Sequence, residues 1–540
     1  MSAMSSMPVF TGRLNCVPRL AAGVLAMAAI HAPLAFAETS QSPAPPERRL
    51  DVEAYDVAGN TMLDTETIET AVYPFLGPQR TREDVNGARE ALEKAYQARG
   101  YQSVVVEIPP QNASDGVVQL RVVEAPVGRL RVVGARYYSP SAIKDQVSSL
   151  REGTVPDFNR AQQQIAELNR LPDQRVVPAL RPGKIPGTVD VDLKVNDTLP
   201  LHGSAELNND HGPDTRDLRA TAMLRYNNLW QLGHSLSLTY VRAPQDVHSG
   251  QVFSGSYLAP IWNTPFSVLT YAYDSNSDVD TLGGTNVLGK GYAVGLRGIL
   301  QLPPIDDISE SLSFGVDYKH FLEVLTLGEA GVDAVITYLP ATASYNLQRV
   351  GSASTANLSL SLTAGVRGIG SDVAEFLNNR SFARANFLHF NIDADFTQNI
   401  YDDIDVAARF SEQASDGPLL SSEQFAAGGL SSVRGYLQSE AVGDNGVFGS
   451  LELRSPTFPW FTSVIDEWRL FAFFDAANLW IFDALADQQS QFTLYSTGVG
   501  TKFQLLRYLS GNADVAFPLR SGPDTKAWQP VVNFSIKTEF

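Results

Sequence analysis

The sequence predicts two small α+β units followed by a 16-stranded antiparallel β-barrel that spans a membrane. Residues 50–196 combine helical and strand periodicities in the order β-α-α-β-β, and this order occurs twice. From about residue 201 helical periodicity disappears, and short segments of alternating polarity continue to residue 540. The links between these segments alternate between short and long, which is typical of transmembrane barrels.

Composition narrows the range of functions. The 540 residues include 59 acidic and 41 basic side chains, for a formal charge of −18. Such a balance disfavours nucleic-acid binding, which needs a clustered basic surface. A single cysteine excludes a disulfide framework and a cysteine-based zinc site. The protein is therefore acidic, and it contains enough hydrophobic residues to form a folded structure.

Residues 1–37 have the pattern of an export signal. Two arginines precede an apolar run, and the Ala-Phe-Ala at 35–37 is a small-x-small pattern, so we expect cleavage before Glu38. A retained membrane anchor is the alternative, but His31 and Pro33 interrupt the run. No run of 18 apolar residues follows, so no transmembrane helix is expected in the mature chain.

The first α+β unit is expected at 50–125, after a polar and proline-rich leader at 38–49 that reads as flexible. Apolar residues at helical spacing, β-branched runs and terminal glycines predict its elements. The expected strands are 50–57, 103–108 and 117–123, and the expected helices are 65–73 and 81–99.

The second α+β unit is expected at 126–197 and repeats the same order. The expected strands are 129–133, 176–180 and 189–195, and the expected helices are 139–150 and 159–171. Gly59 and Gly134 end the first strand of each unit, and their equivalent places support a tandem repeat.

The barrel is expected at 198–540, and its last strand is the clearest. One side of that strand is mainly apolar: Val532, Phe534, Ile536, Thr538 and Phe540. The other side is polar: Asn533, Ser535, Lys537 and Glu539. A soluble sandwich also alternates, but it rarely ends on an aromatic at the last strand position. In lipid the sheet must close, because an open edge would leave backbone groups unpaired. We expect Phe534, Ile536 and Phe540 to act as the membrane-assembly signal.

The lengths of the connections between strands distinguish the two ends of the expected barrel. Short links are expected at 227–233, 259–265 and 399–403. Longer connections are expected at 274–289 and 321–335. Short turns at one end and long loops at the other are typical of outer-membrane barrels.

One loop resembles a known family closely. Residues 413–436 read QASDGPLLSSEQFAAGGLSSVRGY, which resembles the sixth extracellular loop of the Omp85 superfamily. It resembles in particular that of the two-partner secretion transporters, the TpsB group of the ShlB/FhaC/HecB type. The Ser-Glu-x-Phe-x-x-Gly-Gly before Val-Arg-Gly-Tyr makes this resemblance strong. Residues 101–123 and 168–195 resemble that family's two POTRA domains, and LFAFFDAA at 470–477 resembles its barrel-strand motif.

The resemblance implies a place and a function. It implies a Gram-negative outer-membrane barrel whose POTRA domains lie in the periplasm and capture a secreted, TpsA-like partner in extended form. The barrel would then export that partner. Outer-membrane lipid and the barrel-assembly machinery are the other expected partners, and a monomer is expected. Two POTRA domains favour this group over the barrel-assembly insertase, which typically has five.

The resemblance also implies a contact inside the barrel. The loop at 412–446 would fold into the lumen, and Arg434 of its Val433-Arg434-Gly435-Tyr436 motif would pair with Asp475 on the wall, beside Phe473. Strand parity allows this pairing, because Phe473 and Asp475 share one face while Leu470 and Phe474 share the other. A planar guanidinium suits a carboxylate because it can engage both oxygens. The alternative is an unpaired loop arginine and a solvated aspartate.

Two departures from the family pattern stand out. The last glycine of the strand motif is Ala477, which adds bulk where the loop packs. Family members often begin with a helix inside the pore, yet the leader at 38–49 is shorter than the roughly 20 residues such a helix needs. We therefore expect no N-terminal plug helix.

The second unit offers a candidate groove for the exported partner. An extended chain can add to an exposed sheet edge. The strand 176–180 and the helix 159–171 would frame such a groove, with Asn159, Leu168, Val176 and Leu180 as substrate-binding residues. The alternative is that their apolar side chains belong to the core.

Nothing in the sequence supports catalysis. There is no His-Glu-x-x-His or Gly-x-Ser-x-Gly motif, so we expect no enzyme activity, no cofactor and no metal. The expected function is export of a secreted partner. The alternatives are an Omp85-type insertase that assembles outer-membrane proteins, and a passive porin, which would leave both repeats and the arginine loop without a role.

Overall fold

The computed structural model describes residues 49–213, 215–246, 250–276, 279–282, 285–288, 290–327, 330–458, 464–486 and 488–540. The predicted signal at 1–37, nearly all of the leader at 38–49 and the expectation about a plug helix lie outside the described residues. Among the described residues, no helix is both long enough and apolar enough to cross a bilayer.

The first α+β unit is a three-stranded sheet covered by two helices. Its elements are β1 Leu50–Val52, β2 Ala54–Ala58, α1 Thr65–Val72, a 3-10 turn Tyr73–Phe75, β3 Gly77–Arg80, α2 Arg82–Ala98, β4 Val104–Glu107 and β5 Val117–Glu124. The sheet order is β2-β5-β4, and β1 pairs with β3. Thr81 and Asp84 form a capping box that begins α2, and Leu92 and Tyr96 bury its apolar face. The prediction of a single strand at 50–57 is therefore wrong. The backbone N–H groups of Glu53 and Ala54 both donate to the carbonyl of Gly116, and this divides the segment into β1 and β2.

The second α+β unit has the same order of elements. These are β6 Val127–Val133, α3 Pro140–Gln146, a 3-10 turn Ser148–Leu150, α4 Phe158–Leu168, β7 Gln174–Pro182 and β8 Val189–Asp197, with sheet order β6-β8-β7. Gly59 and Gly134 have φ of +87° and +97°, and a Cβ would lie 2.5 Å from the carbonyl oxygen of Val122 and 2.4 Å from that of Val195. Both strand ends thus need glycine for the same close approach.

The rest of the chain forms a closed antiparallel barrel, which confirms the predicted fold class. In the described part of the chain sixteen strands make the wall: β9 Leu201–Asn208, β10 Arg219–Leu229, β11 His234–Arg242, β12 Val252–Pro260, β13 Phe266–Ser275, β16 Lys290–Gln301, β17 Ile308–Leu327, β18 Ala330–Val350, β19 Ser354–Gly370, β20 Leu388–Tyr401, β21 Ile404–Ser415, β24 Asn445–Arg454, β25 Ile465–Trp480, β26 Gln491–Leu505, β27 Leu509–Pro518 and β28 Val531–Glu539. Between them lie two hairpins, β14 Val279–Leu282 with β15 Thr285–Leu288 and β22 Phe425–Ala427 with β23 Ala441–Gly443, and the helix α5 Val373–Asn379.

The long-loop end of the barrel contains more strand than the sequence predicts. The long connection expected at 321–335 is wrong, because β17 and β18 stay paired out to Leu327 and Ala330. The connection at 274–289 contains the β14–β15 hairpin. Strands can continue past the bilayer because each backbone group keeps its partner there, so local polarity does not mark where pairing stops.

Polar contacts join the second unit to the short-turn end of the barrel. The Asp173 carboxylate accepts a bond of 2.9 Å from the Asn227 side chain and lies 2.8 Å from Nε2 of His202. The Gln231 side chain, in the β10–β11 turn, accepts a 2.8 Å bond from the amide of Ser139. The second unit is thus held against the barrel entrance on that side.

Asp197 closes the second unit where β8 ends. Its carboxylate accepts the backbone N–H groups of Arg136, Tyr137 and Tyr138 at 2.8–3.0 Å. Burial raises the pKa of Asp197, but the three N–H groups outweigh burial and hold this pKa below its ordinary value.

We expect Asp197→Asn to lower the free energy of unfolding of the second unit by about 2 kcal/mol at neutral pH, because an amide oxygen replaces a charged acceptor. The folded-state pKa is depressed, so the stabilisation is present above the unfolded-state pKa and disappears as the pH falls through the folded-state pKa. Hydrogen exchange over residues 126–197 at neutral and at acid pH measures it. Asp145→Asn, an exposed neighbour, is the control. An equal difference between Asp197→Asn and wild type at both pH values would contradict the prediction.

Candidate functional site

The connection between β21 and β24, residues 416–444, folds into the barrel, and we call it the lumen loop. The sequence placed its bounds at 412–446, and the structure shortens it because the strands reach Ser415 and begin at Asn445. Leu419, Leu420 and Val433 are at most 1% exposed, so the loop packs tightly against the wall.

Arg434, at the tip of the lumen loop, meets Asp475 of β25. The Nε atom donates to Oδ2 at 2.8 Å, and Nη2 donates to Oδ1 at 2.8 Å. Asp475 is fully buried and Arg434 is 5% exposed. The structure thus brings together the two residues that the sequence pairs, in the two-pronged geometry that a planar guanidinium permits.

Phe473 supports the arginine from below. Its ring centroid lies 3.5 Å from the guanidinium carbon of Arg434, a distance at which a cation is attracted to the ring face. Phe473 and Asp475 point inward because they are two residues apart on β25, whereas Leu470 and Phe474 are about half exposed on the outer surface.

A second carboxylate at the site, which the sequence pattern does not predict, is that of Glu452. Glu452 of β24 accepts a 2.7 Å bond from Nη1 of Arg434, and it also binds Lys502 at 2.6 Å. Ser450, directly opposite Asp475 in the ladder, donates a 2.6 Å bond to it. The alternation of Leu451 and Leu453 with polar side chains in β24 predicts that Glu452 faces inward, but it does not show that Arg434 lies beside it.

The three other residues of the Val433-Arg434-Gly435-Tyr436 motif also contact the barrel wall or the loop that follows β27. Val433 packs in a cluster with Ala477, the residue that replaces the glycine of the family motif. Gly435 has φ of +92°, and a Cβ there would lie 3.0 Å from the Cβ of Ala516, so a larger residue would strain the tip. The Tyr436 hydroxyl donates a 2.6 Å bond to the carbonyl of Arg520.

A second buried cluster holds the part of the lumen loop that precedes Arg434. Glu423 accepts a bond of 2.6 Å from Lys319 and another of 2.6 Å from the Tyr338 hydroxyl. Nε2 of His389 lies 3.3 Å from the second oxygen of the same carboxylate. These partners stand on β17, β18 and β20, so one carboxylate ties the loop to three strands.

A third cluster, at the end of the lumen loop before β24, connects this loop to two other long loops. Asp444 has no exposed surface, and its carboxylate pairs with Arg380, which follows α5, with an Nη2–Oδ2 distance of 2.6 Å. It also accepts the amides of Leu419 at 2.9 Å and of Phe482 at 2.8 Å. Asp444 therefore joins the connection 371–387, the lumen loop and the connection 481–490.

Two models of known families match this chain. The model of the haemolysin secretion/activation protein ShlB/FhaC/HecB family matches residues 187–503, and that of the ShlB-type POTRA domain matches residues 50–125. The chain belongs to the ShlB/FhaC/HecB family. The predicted resemblance is thus confirmed, and the first α+β unit is a POTRA domain.

Relatives within this family are distant but extensive. The outer membrane transporter CdiB of Dickeya dadantii is 23% identical over 85% of this chain and 81% of its own length. The heme/hemopexin transporter protein HuxB of Haemophilus influenzae is 23% identical over 72% of this chain and 68% of its own. The fold is similar to that of CdiB from Escherichia coli, with a TM-score of 0.62, 21% identity and coverage of 93% and 92% of the two chains.

Membership gives this transporter its location and class. It is an outer-membrane β-barrel of the two-partner secretion type, with its POTRA domain on the periplasmic side. Family members are transporters, not enzymes. In the described part of the chain, no group of three or more potential metal ligands occurs.

The four substrate-binding residues predicted in the second unit do not form one surface. Leu168 is fully buried and Val176 is 1% exposed, so both are core residues and cannot contact a docked chain. Leu168 on α4 and Val176 on β7 belong to the core cluster between the helices and the sheet, which corrects that part of the prediction. Leu180 is exposed near the end of β7, and Asn159 is exposed at the start of α4.

Two residues of the predicted assembly signal, Phe534 and Ile536, lie on one side of β28, and Phe540 directly follows the strand. Ile536 and Phe540 are exposed on the outer surface, and Phe534 is partly covered. Their alternation with buried Asn533 follows from the strand period.

Proposed function

We propose that this transporter exports a secreted partner through the lumen of its barrel, after two periplasmic POTRA units bind the partner in extended form. Family membership supports export of a partner, and the repeated β-α-α-β-β order supports a second POTRA unit at 126–197 after the first at 50–125. We further propose that the transporter is a monomer in outer-membrane lipid, inserted by the barrel-assembly machinery through Phe534, Ile536 and Phe540.

The observation that best supports export through the lumen is the closed seam of the barrel, where the last strand β28 pairs with the first strand β9. Gly203 of β9 and Phe540 exchange backbone bonds of 3.2 and 3.0 Å at one end. At the other end the Asn209 side chain donates to the carbonyl of Val532 and accepts from the amide of Phe534, both at 2.8 Å. Opening this seam in lipid would leave backbone groups unpaired, at several kcal/mol for each group. Water in the lumen can replace the polar contacts of the loop, so the lumen is the easier route.

The first step in this proposal is binding at a sheet edge, beyond Val176, whose backbone N–H and C=O are bonded to the Asn169 side chain. β7 is an edge strand of the second unit, and Val177 and Leu180 are half exposed along it. An extended partner could add to β7 as a further strand, with backbone bonds for affinity and side chains for selectivity.

A disulfide across the seam tests the route. Ala205 and Thr538 are directly paired, and both face outward. In a Cys16→Ser background, we expect Ala205→Cys/Thr538→Cys to export the partner at the wild-type rate when oxidised. The measurement is the amount of secreted partner in the culture medium of a deletion strain that carries each variant. Ala205→Cys alone is the control.

The same strains separate the insertase alternative. Deletion of the transporter should abolish secretion of one large partner and leave the other outer-membrane barrels at normal levels. Depletion of many barrels, or loss of export when the seam disulfide forms and its recovery on reduction, would contradict export through a closed lumen.

A further inference from the structure

Among the described residues, no helix covers one face of the sheet of the second unit. Helices α3 and α4 pack against the face that carries Val176, Val191, Leu193 and Val195. The opposite face carries the alternate residues of the same strands, and these are mostly charged. We call this opposite face the open face.

The open face is strongly cationic in an acidic protein. Its cations are Arg129, Arg131, Arg175, Arg181 and Lys194. Its carboxylates are Asp190 and Asp192. Five positive against two negative side chains leave a net charge of +3 here, while the whole chain carries −18. Such local reversal of sign attracts an anionic ligand.

The carboxylate of Asp192, at the centre of the open face, offsets only part of the positive charge of the arginines around it. Asp192 is 2% exposed, because Arg131 binds both of its oxygens at 2.7 and 2.8 Å and Arg181 contacts it from β7. The side chains of Arg131 and Arg181 remain 40% and 56% exposed. Arg129 and Arg175 are exposed and have no ion pair among the described residues. Guanidinium N–H groups are therefore free to bind a second anion.

The open face leads toward the entrance of the barrel. Arg175 stands two residues from Asp173, which contacts the barrel through His202 and Asn227. Inside the barrel, below the tip of the lumen loop, lies a cavity of about 620 Å³. Its charged lining residues include Arg409, Arg454, Lys502, Lys537, Glu452 and Glu467. Cations thus predominate on both the open face and the wall that follows it.

We propose that the open face binds an acidic, extended segment of the exported partner and directs it to the lumen. This inference rests on the proposed function and names the chemistry of the segment that is recognised. Carboxylates of the segment bond to the free guanidinium groups, while Val133 and Val177, both about half exposed, contact alternate side chains. The exposed valines favour a polypeptide over anionic lipid headgroups, which would not use them.

A charge reversal on the open face tests this proposal. The probe is a fluorescent synthetic peptide of alternating glutamate and threonine, and binding to the purified full chain in detergent is measured by anisotropy. We expect Arg129→Glu/Arg175→Glu to weaken binding about tenfold at low salt, and we expect high salt to weaken wild-type binding. The matched control is Arg151→Glu/Arg160→Glu, which reverses two exposed arginines on the helical side and should bind as wild type does.

Three results would overturn the inference: equal binding by the open-face variant and wild type, equal binding of a glutamine–threonine peptide, or displacement of the acidic peptide by short-chain phosphatidylglycerol. The last result would assign the face to lipid headgroups. If the acidic peptide fails to bind while the oxidised seam variant still exports its partner, this inference fails and the proposed function stands. Loss of export in the seam variant instead bears on the proposed function alone.

Discussion

Arg434→Ala should reduce export of the partner at least about tenfold, while the barrel still assembles. The substitution leaves Asp475 and Glu452 buried without their shared cation, and breaking a buried pair in this way costs about 3–5 kcal/mol. The loop tip then loses its fixed position on the wall. Secreted partner in the medium measures export, and heat-modifiable migration on gels measures assembly, which depends on the outer surface that this substitution does not touch.

A charge exchange separates contact from simple loss of the arginine. Arg434→Asp with Asp475→Arg should restore part of the export when it is combined with Glu452→Gln, because Glu452 would otherwise repel the new loop carboxylate. Arg434→Lys is the second comparison, since an ammonium keeps the charge but cannot bind both oxygens of Asp475. Wild-type export by Arg434→Ala, or no rescue by the exchange, would contradict the role of this pair.

Asp444→Ala should make the resting transporter leak. Its carboxylate joins three long connections. Its removal leaves Arg380, whose side chain is 17% exposed, without a counter-charge, and the amides of Leu419 and Phe482 without an acceptor. Such a loss costs about 3–5 kcal/mol, which the loop end of the barrel can avoid by opening. We expect a higher conductance in planar bilayers and greater sensitivity of cells to large antibiotics.

The same two loops provide a matched control for the leak. Arg384 and Asp416 also link the α5 connection to the lumen loop, at 3.3 Å, but both side chains are more than 40% exposed. Exposed pairs contribute about 0–1 kcal/mol, so Asp416→Ala should conduct as wild type does. Equal leakage by the two variants would show that burial of Asp444 is not what closes this end.

The pairing of Arg434 with Asp475 could be expected from a motif and from strand parity, yet Glu452 could not. Parity along β25 shows which side chains point inward, but it does not show which neighbouring strand lies beside the arginine. β24 supplies Ser450 and Glu452 only because its register sets Ser450 opposite Asp475. Glu423 and Asp444 were missed for the same reason, since their partners are separated from them by many residues along the chain.

Local pattern was enough to predict two β-α-α-β-β units, a barrel and the inward face of each clear strand. These follow from periodicity and from the need of every backbone group in lipid for a partner. The packing of the folded chain decided the rest. Val176 is core because two helices cover its side of the sheet, and Leu168 is core because it packs in the same cluster from α4. The arginines of β6 and β7 meet on one open face because β8 lies between those strands. Contacts of this kind depend on distant segments meeting in one register, which no short stretch of sequence encodes.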